Sequence, residues 1–519
     1  MNNSAKLTIK EKIGYGLGDT ASNLYFQMYI NFLLFFYTDV FGIPAAAAGT
    51  LFMVSRFWDA VNDPLMGVIA DRTNTKWGKF RPYLLWMMLP MAIVGVLMFT
   101  TPELSLTGKI VYAYITYILM MMTYTAINIP YSALMGVLSP HSTERTSAST
   151  YRFVLAFVGA FIIQGLTLPL VNATGQESEG YSISNQVITL TETDTKASKI
   201  IITANDGKEE SDSQFLVKIN KNDPNLPKVN QPLENIQLTK GFSAKEINIA
   251  DVFSVSGKKT LGYKVKTNRD DIVRAAIDEN NTLTIEEKGV GQAKITLTAI
   301  ADNYRKTDHS FIINIIEAGN VPPQLTKPLD ELSFNLAAET GTLDLTSYFQ
   351  DEDDLNFTID SKNKKVAITN ISGSNANFEF MNPGIAKISV TADDNRGGIT
   401  ETSFYLTVKT SENDAPAAYK PIANIELNEG FGEYKVDISN VFRDLDGNDL
   451  NYSVKKVNMA KGFPITMGIF GLMAMVMFYI TFATTKERVQ PSKQQTSLKE
   501  DLRDLMSNKP WMILLVMGI

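Results

Sequence analysis

The 519-residue sequence predicts a mixed fold, in which an α-helical membrane bundle is interrupted by an inserted array of all-β sandwiches. Residues 13–171, and again those from 462 onward, are apolar and rich in Met and Phe. Residues 175–457 are instead polar and alternate in the period-two manner of half-exposed strands. Landmarks in this polar part recur about every 95 residues, which is typical of a repeat array.

Six apolar stretches are long enough to cross a bilayer of about 30 Å, which takes roughly 20 residues. They lie at residues 13–40, 43–70, 82–101, 108–138, 149–171 and 462–484. A seventh begins at "PWMILLVMGI" and reaches Ile519, so we expect the sequence to stop inside a seventh span. No cleavable signal precedes span 1, which is therefore expected to direct its own insertion.

Basic residues predict the orientation of the spans. They cluster before span 1, between spans 2 and 3, around the loop between spans 4 and 5, and after span 6. Because Lys and Arg are enriched in cytoplasmic loops, we expect a cytoplasmic N-terminus and an external insert. The expected location is the cell membrane, with the lipid bilayer as a partner.

The composition excludes several classes of function. Cysteine is absent, so neither disulfides nor Cys-based metal sites can form. The net charge is -7, and no basic aromatic patch suggests a nucleic-acid partner. No nucleophile lies beside a base, and the two histidines, His141 and His309, lie in separate parts. We expect neither an enzyme nor an organic cofactor.

Span 2 carries two carboxylates, although a charged side chain at mid-bilayer costs roughly 2.5–3.5 kcal/mol. Asp59 and Asp63 lie one helical turn apart with Asn62 beside them, so three oxygen-bearing side chains share one face. A proton or Na⁺ would remove the repulsion between the carboxylates. We therefore predict a cation site, with helix capping or an ion pair to Arg56 as the alternative.

A second polar set predicts a site for a neutral polyol such as a sugar. Asp19 lies in span 1, and Arg152 begins span 5. Span 4 adds hydroxyl and amide groups around a helix-bending proline: Tyr124, Thr125, Asn128, Pro130 and Tyr131. Sugar hydroxyls both donate and accept, which suits such a mixture. The alternative is that Tyr and Asn only join helices.

Four stretches resemble the glycoside-pentoside-hexuronide:cation symporters, the melibiose-permease-like branch of the major facilitator superfamily. They are "GYGLGDTASN", "RFWDAVNDPLMGVIADRTNTKWGKFRPY", "YTAINIPYSALMG" and "STERTSASTYRF". The resemblance covers about residues 1–172 and 461–519. It implies a twelve-helix fold of two six-helix halves that alternate access around a central sugar, driven by Na⁺, H⁺ or Li⁺. We therefore expect a half-bundle of the major facilitator type, with six spans and the start of a seventh, in a bacterial inner membrane.

The resemblance also implies residue roles. It assigns to the coupling cation Asp59, Asn62, Asp63 and Thr125. It assigns to the sugar Asp19, Tyr124 and Arg152, and Asn128 stands where the melibiose permeases have a second sugar-binding acid. Ser132 replaces a tryptophan of that family, and Gly18 replaces a lysine, so the particular sugar is not predicted.

The loop "DRTNTKWGKFRP" between spans 2 and 3 is similar to the signature loop of the superfamily, which locks the two halves of a six-helix bundle in the outward-facing state. This implies a gate formed by Asp71, Arg72, Lys79 and Arg81. The alternative is that the basic residues of this loop only keep it on the cytoplasmic side. That alternative explains neither the aspartate nor the glycine of the loop.

The insert repeats the landmarks "VNQPLENIQL", "LTKPLDELSF" and "AYKPIANIEL". Alternating strands with Asn, Asp and Gly turns predict antiparallel sandwiches. They resemble cadherin-like, dystroglycan-type immunoglobulin-fold repeats of bacterial surface proteins, which implies binding to a glycan or a protein. The "DLDGND" stretch offers Asp444, Asp446 and Asn448 as a candidate Ca²⁺ site, with a plain turn as the alternative.

The array opens with the second half of a repeat and closes with the first half of another, which predicts one sandwich split in two. The predicted domains are spans 1–5 (1–174), a half sandwich (175–221), two whole sandwiches (222–318 and 319–412), the other half (413–458), and span 6, a cytoplasmic loop and the start of span 7 (459–519). If the halves pair, they bring the ends of spans 5 and 6 together. A chimeric gene is the alternative.

The leading hypothesis for function is cation-coupled symport of a sugar or glycoside. A surface adhesion or glycan-binding protein with a membrane anchor is one alternative, although an anchor needs no buried acids. A lipid carrier on the same fold is another, and it would need an apolar central cavity.

Overall fold

The computed structural model describes residues 6–192, 197–220, 223–256, 260–302 and 305–489. Its long helices are α1 (Ile9–Met28), α2 (Ala45–Arg72), α3 (Arg81–Met98), α4 (Leu106–Leu138), α5 (Ser142–Thr174) and α6 (Met459–Thr484). They lie at the positions of the six predicted spans. The predicted start of span 7 lies outside the described residues.

Helical turns continue beyond α1. Two wider π-type segments, Tyr29–Leu33 and Phe36–Val40, extend it to the end of predicted span 1. At the other end Thr8 caps α1 in a reciprocal pair with Glu11, whose side chain accepts from the Thr8 backbone. Predicted span 1 is therefore one helical segment with a changed pitch in its C-terminal half.

Within the described residues, four helices are both long and apolar enough to cross a membrane: α3, α4, α5 and α6. Helix α2 has 28 residues, more than the roughly 20 that a bilayer needs, but it carries several charged side chains. The chain is thus a multi-pass membrane protein, and the count of six spans stays a prediction.

The bundle packs around α1, which contacts both α5 and α6, while α3 contacts α4 and α6. Close approach of α1 and α5 depends on small residues, since a Cβ at Gly159 would lie 2.9 Å from the carbonyl oxygen of Thr20. Near the end of the bundle that joins the insert, the rings of Phe99 and Phe463 stack at 5.8 Å. These contacts fix the helices that carry the polar site residues.

The insert contains short strands that follow the repeat pattern. Before the first whole sandwich come β1 (Gln176–Glu177), β2 (Tyr181–Ser184), β3 (Val187–Thr191), β4 (Ser198–Asn205) and β5 (Glu210–Asn220). The first whole sandwich has β6 (Lys228–Val229), β7 (Ile236–Thr239), β8 (Lys245–Asn248), β9 (Phe253–Ser254), β10 (Gly262–Thr267), β11 (Val273–Ile277), β12 (Thr282–Glu287), β13 (Gly291–Ile300) and β14 (Lys306–Ile316).

The second whole sandwich has β15 (Gln324–Leu325), β16 (Leu332–Asn335), β17 (Thr340–Asp344), β18 (Phe349–Gln350), β19 (Asn356–Ser361), β20 (Ala367–Ser372), β21 (Asn375–Phe380), β22 (Gly384–Asp393) and β23 (Ile399–Lys409). The final strands are β24 (Ala417–Ala418), β25 (Ile425–Asn428), β26 (Glu433–Asp437), β27 (Phe442–Arg443) and β28 (Asn451–Asn458).

Strands from the two ends of the insert pair with each other. One sheet has the order β1-β28-β4-β5-β25, and the facing sheet has the order β2-β3-β26. Ile200 and Phe215 from the first half share a buried core with Ile438 and Phe442 from the last half. We call this unit the split sandwich, because some 190 residues of two other sandwiches separate its halves.

The sheets differ from the antiparallel prediction at one edge of each sandwich. The pairs β7–β14, β16–β23 and β25–β5 run parallel. In each case an early short strand lies at the edge of a sheet beside a late, long strand. The sequence pattern gives the strands but does not show which sheet this edge strand joins.

The split sandwich joins the bundle without a linker. Gly175 is the single residue between α5 and β1, and Asn458 is both the last residue of β28 and the N-cap of α6. Its backbone donates to the carbonyl of Gly175 at 2.8 Å, and its side chain donates to Glu177 Oε1 at 2.9 Å. Strand pairing therefore holds the sandwich-side ends of α5 and α6 side by side.

The chain leaves the split sandwich at one end and returns at the other. Strand β5 ends at Asn220, close to the start of α6, because Val217 and Asn458 both pair with Ser198. The chain returns near Asn413, whose amide donates to Asp206 Oδ2 at 2.9 Å, in the turn that follows the far end of β4. The three sandwiches therefore form a circuit, which the noncovalent strand pairing within the split sandwich closes.

Candidate functional site

The carboxylates of α2 face α4 and a cavity between the helices. Asp63 Oδ1 accepts a hydrogen bond from Thr125 Oγ1 at 2.8 Å, which joins two residues of the predicted cation set. Thr125 is 5% exposed. A buried threonine donating to a carboxylate leaves the second oxygen of Asp63 available to another ligand.

A cavity of about 200 Å³ lies beside this pair. It is lined by Tyr25, Phe26, Tyr29, Arg56, Asp59, Asp63, Met98, Tyr117, Met120, Met121, Tyr124, Thr125, Asn128 and Ile129. Asp59 Oδ1 and Asn62 Nδ2 are buried, and neither has a hydrogen-bond partner among the described residues. Among the described residues, neither Asp59 nor Asp63 forms an ion pair with Arg56 within 4.0 Å. Unpartnered buried oxygen next to a carboxylate suits a small hard cation.

The predicted sugar residues fall into two groups. Asp19 Oδ2 lies 3.2 Å from Arg152 Nε, between α1 and α5. The Arg152 guanidinium lies over the ring of Tyr131 at 5.3 Å, and Tyr131 in turn stacks on Tyr15. The acid and the base of the predicted sugar site therefore pair directly, and an aromatic stack orients the base.

Tyr124 and Asn128 lie with the other group. Both line the cavity that contains Asp59 and Asp63, and Asn128 Nδ2 donates to the carbonyl of Tyr124 at 3.3 Å. Tyr124 also stacks on Phe26 at 6.4 Å. The structure thus places these two predicted sugar residues beside the predicted cation residues, so one region of α4 serves both sets.

The predicted gate residues surround the loop between α2 and α3. Lys79 Nζ lies 3.9 Å from Asp71 Oδ1, the outer limit for an ion pair. Arg81 donates through Nη2 to the carbonyl of Phe482 at 2.6 Å, and its guanidinium lies 4.8 Å from that ring. Arg72 is the last residue of α2. The loop is therefore held against the end of α6.

Glu487, just after α6, is a residue that the sequence analysis missed. Its carboxylate accepts from the backbone N–H groups of Lys79, Phe80 and Arg81 at 2.8, 2.8 and 3.0 Å. A Cβ at Gly78, where φ is +109°, would lie 2.4 Å from the carboxyl carbon of Glu487. An acid at the start of a helix is stabilised by its unpaired N–H groups, and this glycine makes room for it.

The candidate Ca²⁺ residues are engaged in turn hydrogen bonds. Asp444 Oδ1 accepts from the backbone of Asp446 at 3.0 Å and of Asn448 at 2.8 Å, and Asp446 Oδ2 accepts from the backbone of Asp414. Asp444 Oδ2 is buried and has no hydrogen-bond partner within the described residues. Among the residues that the structure describes, no group of three or more His, Cys, Asp or Glu is arranged to hold a metal. The calcium site stays a prediction.

The protein family that matches this sequence matches mainly its helical part. The sequence model of the MFS/sugar transport protein family matches residues 14–195 and 449–519. The unmatched stretch between them covers both whole sandwiches and parts of the split one. The family match therefore breaks off and resumes on either side of the array.

Three curated relatives illustrate the similarity. The inner membrane symporter YicJ of Escherichia coli is 51% identical over 34% of this chain and 38% of its own length. An isoprimeverose transporter of Lactiplantibacillus pentosus is 47% identical, over 31% of this chain and 34% of its own. A glucuronide carrier protein homolog of Escherichia coli is 38% identical, over 33% and 38%. The chain thus spans under two fifths of these relatives, and their names describe transporters rather than enzymes.

Solved structures match the sandwich array only weakly. A two-domain immunoglobulin module of a Drosophila receptor protein tyrosine phosphatase covers 36% of the chain at a TM-score of 0.18 and 11% identity. A likeness this low carries no argument, so the description of the sandwiches rests on their own strand order.

Proposed function

Since the helical part of the chain belongs to the MFS/sugar transport protein family, we propose that this protein takes part in cation-coupled symport of a sugar or glycoside. In this proposal the N-terminus is cytoplasmic, the sandwich array is external, and the membrane is a bacterial inner membrane. The coupling cation is Na⁺ or H⁺.

The observation that carries the proposal is that one helical bundle contains two separate sets of polar side chains. Asp63 and Thr125 share a hydrogen bond beside the cavity that Asp59 also lines. Asp19 and Arg152 pair separately on the α1–α5 side. A symporter needs one group of ligands for an ion and another for its substrate, and these sets supply both.

Each set has a chemical role in the cycle. A cation between Asp59 and Asp63 would neutralise their repulsion, which favours movement of α2 together with its ion. Sugar hydroxyls can donate to Asp19 and accept from Arg152, so that a substrate replaces the direct contact between them. The loop that carries Lys79 and Arg81 would then hold the cytoplasmic end closed while the site faces outward.

The adhesion and lipid-carrier alternatives fit the site less well. An anchor needs no buried carboxylates in its helices, and a lipid carrier needs an apolar cavity. The cavity beside α2 instead contains Arg56, Asp59 and Asp63. We retain binding of glycan or protein as a proposed role for the external array alone.

The test is ion-driven uptake by the complete transporter in proteoliposomes. Replacing Asp63→Asn removes a charge from the cation site, so Na⁺- or H⁺-driven accumulation should be lost while sugar binding remains measurable. Asp39→Asn is the matched control, because Asp39 pairs with Thr38 and lies outside the cavity. Undiminished accumulation by the Asp63 variant would contradict the cation assignment.

A further inference from the structure

We call four lysines the junction lysines, because they lie where the split sandwich joins the helical bundle: Lys199 on β4, Lys218 on β5, Lys455 on β28 and Lys461 in the first turn of α6. Lys199 pairs with Val457, two residues before α6 begins, and also with Leu216. Because side chains alternate along a strand, Lys199, Lys218 and Lys455 share one face of the sheet. Three positive charges therefore lie on this face near the bundle, and the fourth follows on α6.

Lys199 is buried without the acidic partner that a buried lysine usually has. It is 5% exposed, and its ammonium group forms no hydrogen bond or ion pair with another described residue. Burial lowers the pKa of this group below its ordinary value. Lys456, on the opposite face of the same sheet, is 7% exposed and pairs with Glu177 at 3.3 Å. Because a buried charge is costly unless it is paired, the position of Lys199 favours an anionic ligand.

The junction lysines lie at the depth of lipid headgroups. Helix α6 is apolar enough to cross a membrane, and its 26 residues extend about 39 Å, compared with about 30 Å of hydrocarbon in a bilayer. The first turn of α6 therefore lies in the headgroup layer, and β28 leads into it with no linker. A lysine whose stem is buried at such a boundary directs its ammonium group toward the headgroups.

The charge around the start of α6 is positive on balance. Glu426 lies beside Lys218 across β25 and β5 and accepts from Asn220 Nδ2 at 3.1 Å, so it offsets one of the four charges. Lys461 lies at the positive end of the α6 dipole, which disfavours a further cation and stabilises an anion. The junction lysines and this helix end are therefore complementary to a negatively charged group.

We propose that the junction lysines bind the phosphate of an anionic membrane lipid of the phosphatidylglycerol class. Phosphate oxygens accept charge-assisted hydrogen bonds from several ammonium groups at once, and anionic headgroups attract lysines next to a membrane. A headgroup that carries its own cation, such as phosphocholine, fits less well, because that cation is repelled by the lysines. The bound lipid holds the split sandwich against the membrane surface. This proposal rests on membrane insertion and not on the proposed symport.

The test is native mass spectrometry of the full chain in detergent, titrated with palmitoyl-oleoyl phosphatidylglycerol or with the corresponding phosphatidylcholine. The wild type should bind phosphatidylglycerol about tenfold more tightly than phosphatidylcholine. Lys455→Gln and Lys199→Met should each weaken binding of phosphatidylglycerol about tenfold, the low end of the range for a hydrogen bond to a charged group. Lys455 is exposed, so its replacement tests the site even where Lys199→Met does not fold.

Controls separate a specific site from general attraction between charges. Lys264→Gln and Lys266→Gln each remove an exposed lysine from β10 of the first whole sandwich, and they should leave lipid binding unchanged. Lys199→Arg keeps the charge and should retain more affinity than Lys199→Met. The site would be overturned by unchanged affinity in both Lys455→Gln and Lys199→Met, by an equal loss in the β10 variants, or by equal affinity of the wild type for the two lipids. Release of the lipid by millimolar inorganic phosphate would assign the lysines to free phosphate and overturn the lipid assignment.

Discussion

Glu487 shows how a single side chain connects distant parts of this chain. Its carboxylate accepts three backbone N–H groups at the start of α3, although about four hundred residues separate it from them in sequence. The neighbouring Arg488 pairs with Glu11 at the start of α1. Two successive residues therefore fasten the end of α6 to two other helices.

Replacing Glu487→Ala should destabilise the bundle by about 1–2 kcal/mol, the usual cost of losing a helix cap, because three N–H groups lose their acceptor. The measurement is the unfolding transition in detergent. Lys486→Ala is the control, since the exposed Lys486 precedes the cap without contributing to it. Equal stability of the two variants would mean that water replaces the carboxylate at no cost.

The residues of the candidate site differ in how well sequence can predict them. Asp59 and Asp63 stand out because charge inside a membrane is expensive. Glu487 does not, because its partners are backbone groups of a loop whose position depends on tertiary packing.

At the scale of elements, contacts between neighbouring sandwiches define the array. Glu331 of the second whole sandwich accepts from Tyr419 Oη at 2.6 Å and from Arg443 Nη1 at 2.7 Å, both in the split sandwich. The Arg443 guanidinium lies 3.8 Å from the ring of Tyr419. Ile385 and Leu445 pack beside them. Charge and a small apolar cluster therefore join the two units.

This contact should depend on pH. Hydrogen bonds from Arg443 and then Tyr419 lower the pKa of the Glu331 carboxyl below its ordinary value. A lowered pKa means that the contact contributes stability above the unfolded value of about 4.3 and loses it as the pH falls through the lower folded value. The measurement is the distance between two dyes, one on the second whole sandwich and one on the split sandwich. This distance should increase on acidification below about pH 4.

Two variants check the assignment to Glu331. Glu331→Gln should show weaker contact at neutral pH and little further change on acidification. Glu401→Gln, on β23 of the same sandwich, should behave as the wild type does, since Glu401 is exposed and its strand partner is Thr391 of the same sandwich. Acid-induced separation that persists unchanged in Glu331→Gln would assign the effect to another group.

The repeat pattern in the sequence predicts some features of the strands and not others. Alternation and landmarks predict that strands exist and that the first and last segments belong to one repeat, and β28 does pair with β4. They do not reveal the parallel edge strands or the π-type turns between Tyr29 and Val40, because both depend on neighbours outside the segment.

For the whole molecule, the closed circuit of sandwiches predicts the effect of a single cut. A protease site placed at Val321, 61% exposed between the two whole sandwiches, should give two fragments on a denaturing gel. Both should stay together under native conditions, because the split sandwich holds strands from each side of the cut and α6 packs against α1.

The control is a second cut, between β24 and β25 of the split sandwich, which should release the second whole sandwich from the bundle when combined with the first. Fragments that separate after the first cut alone would show that the split sandwich does not hold its halves together. Such a result would favour the chimeric-gene alternative.

Because β28 leads directly into α6, a force on the sandwich array is transmitted to the helical bundle. A pull on the outer sandwiches, along the strand direction, loads the hydrogen bonds between β28 and β4 in shear, so that the eight residue pairs resist together rather than opening one at a time. Because Asn458 ends the strand and begins the helix, tension passes to α6 with no slack chain to absorb it. A pull on the sandwich array would therefore act on a helix that packs against α1, the helix that carries Asp19.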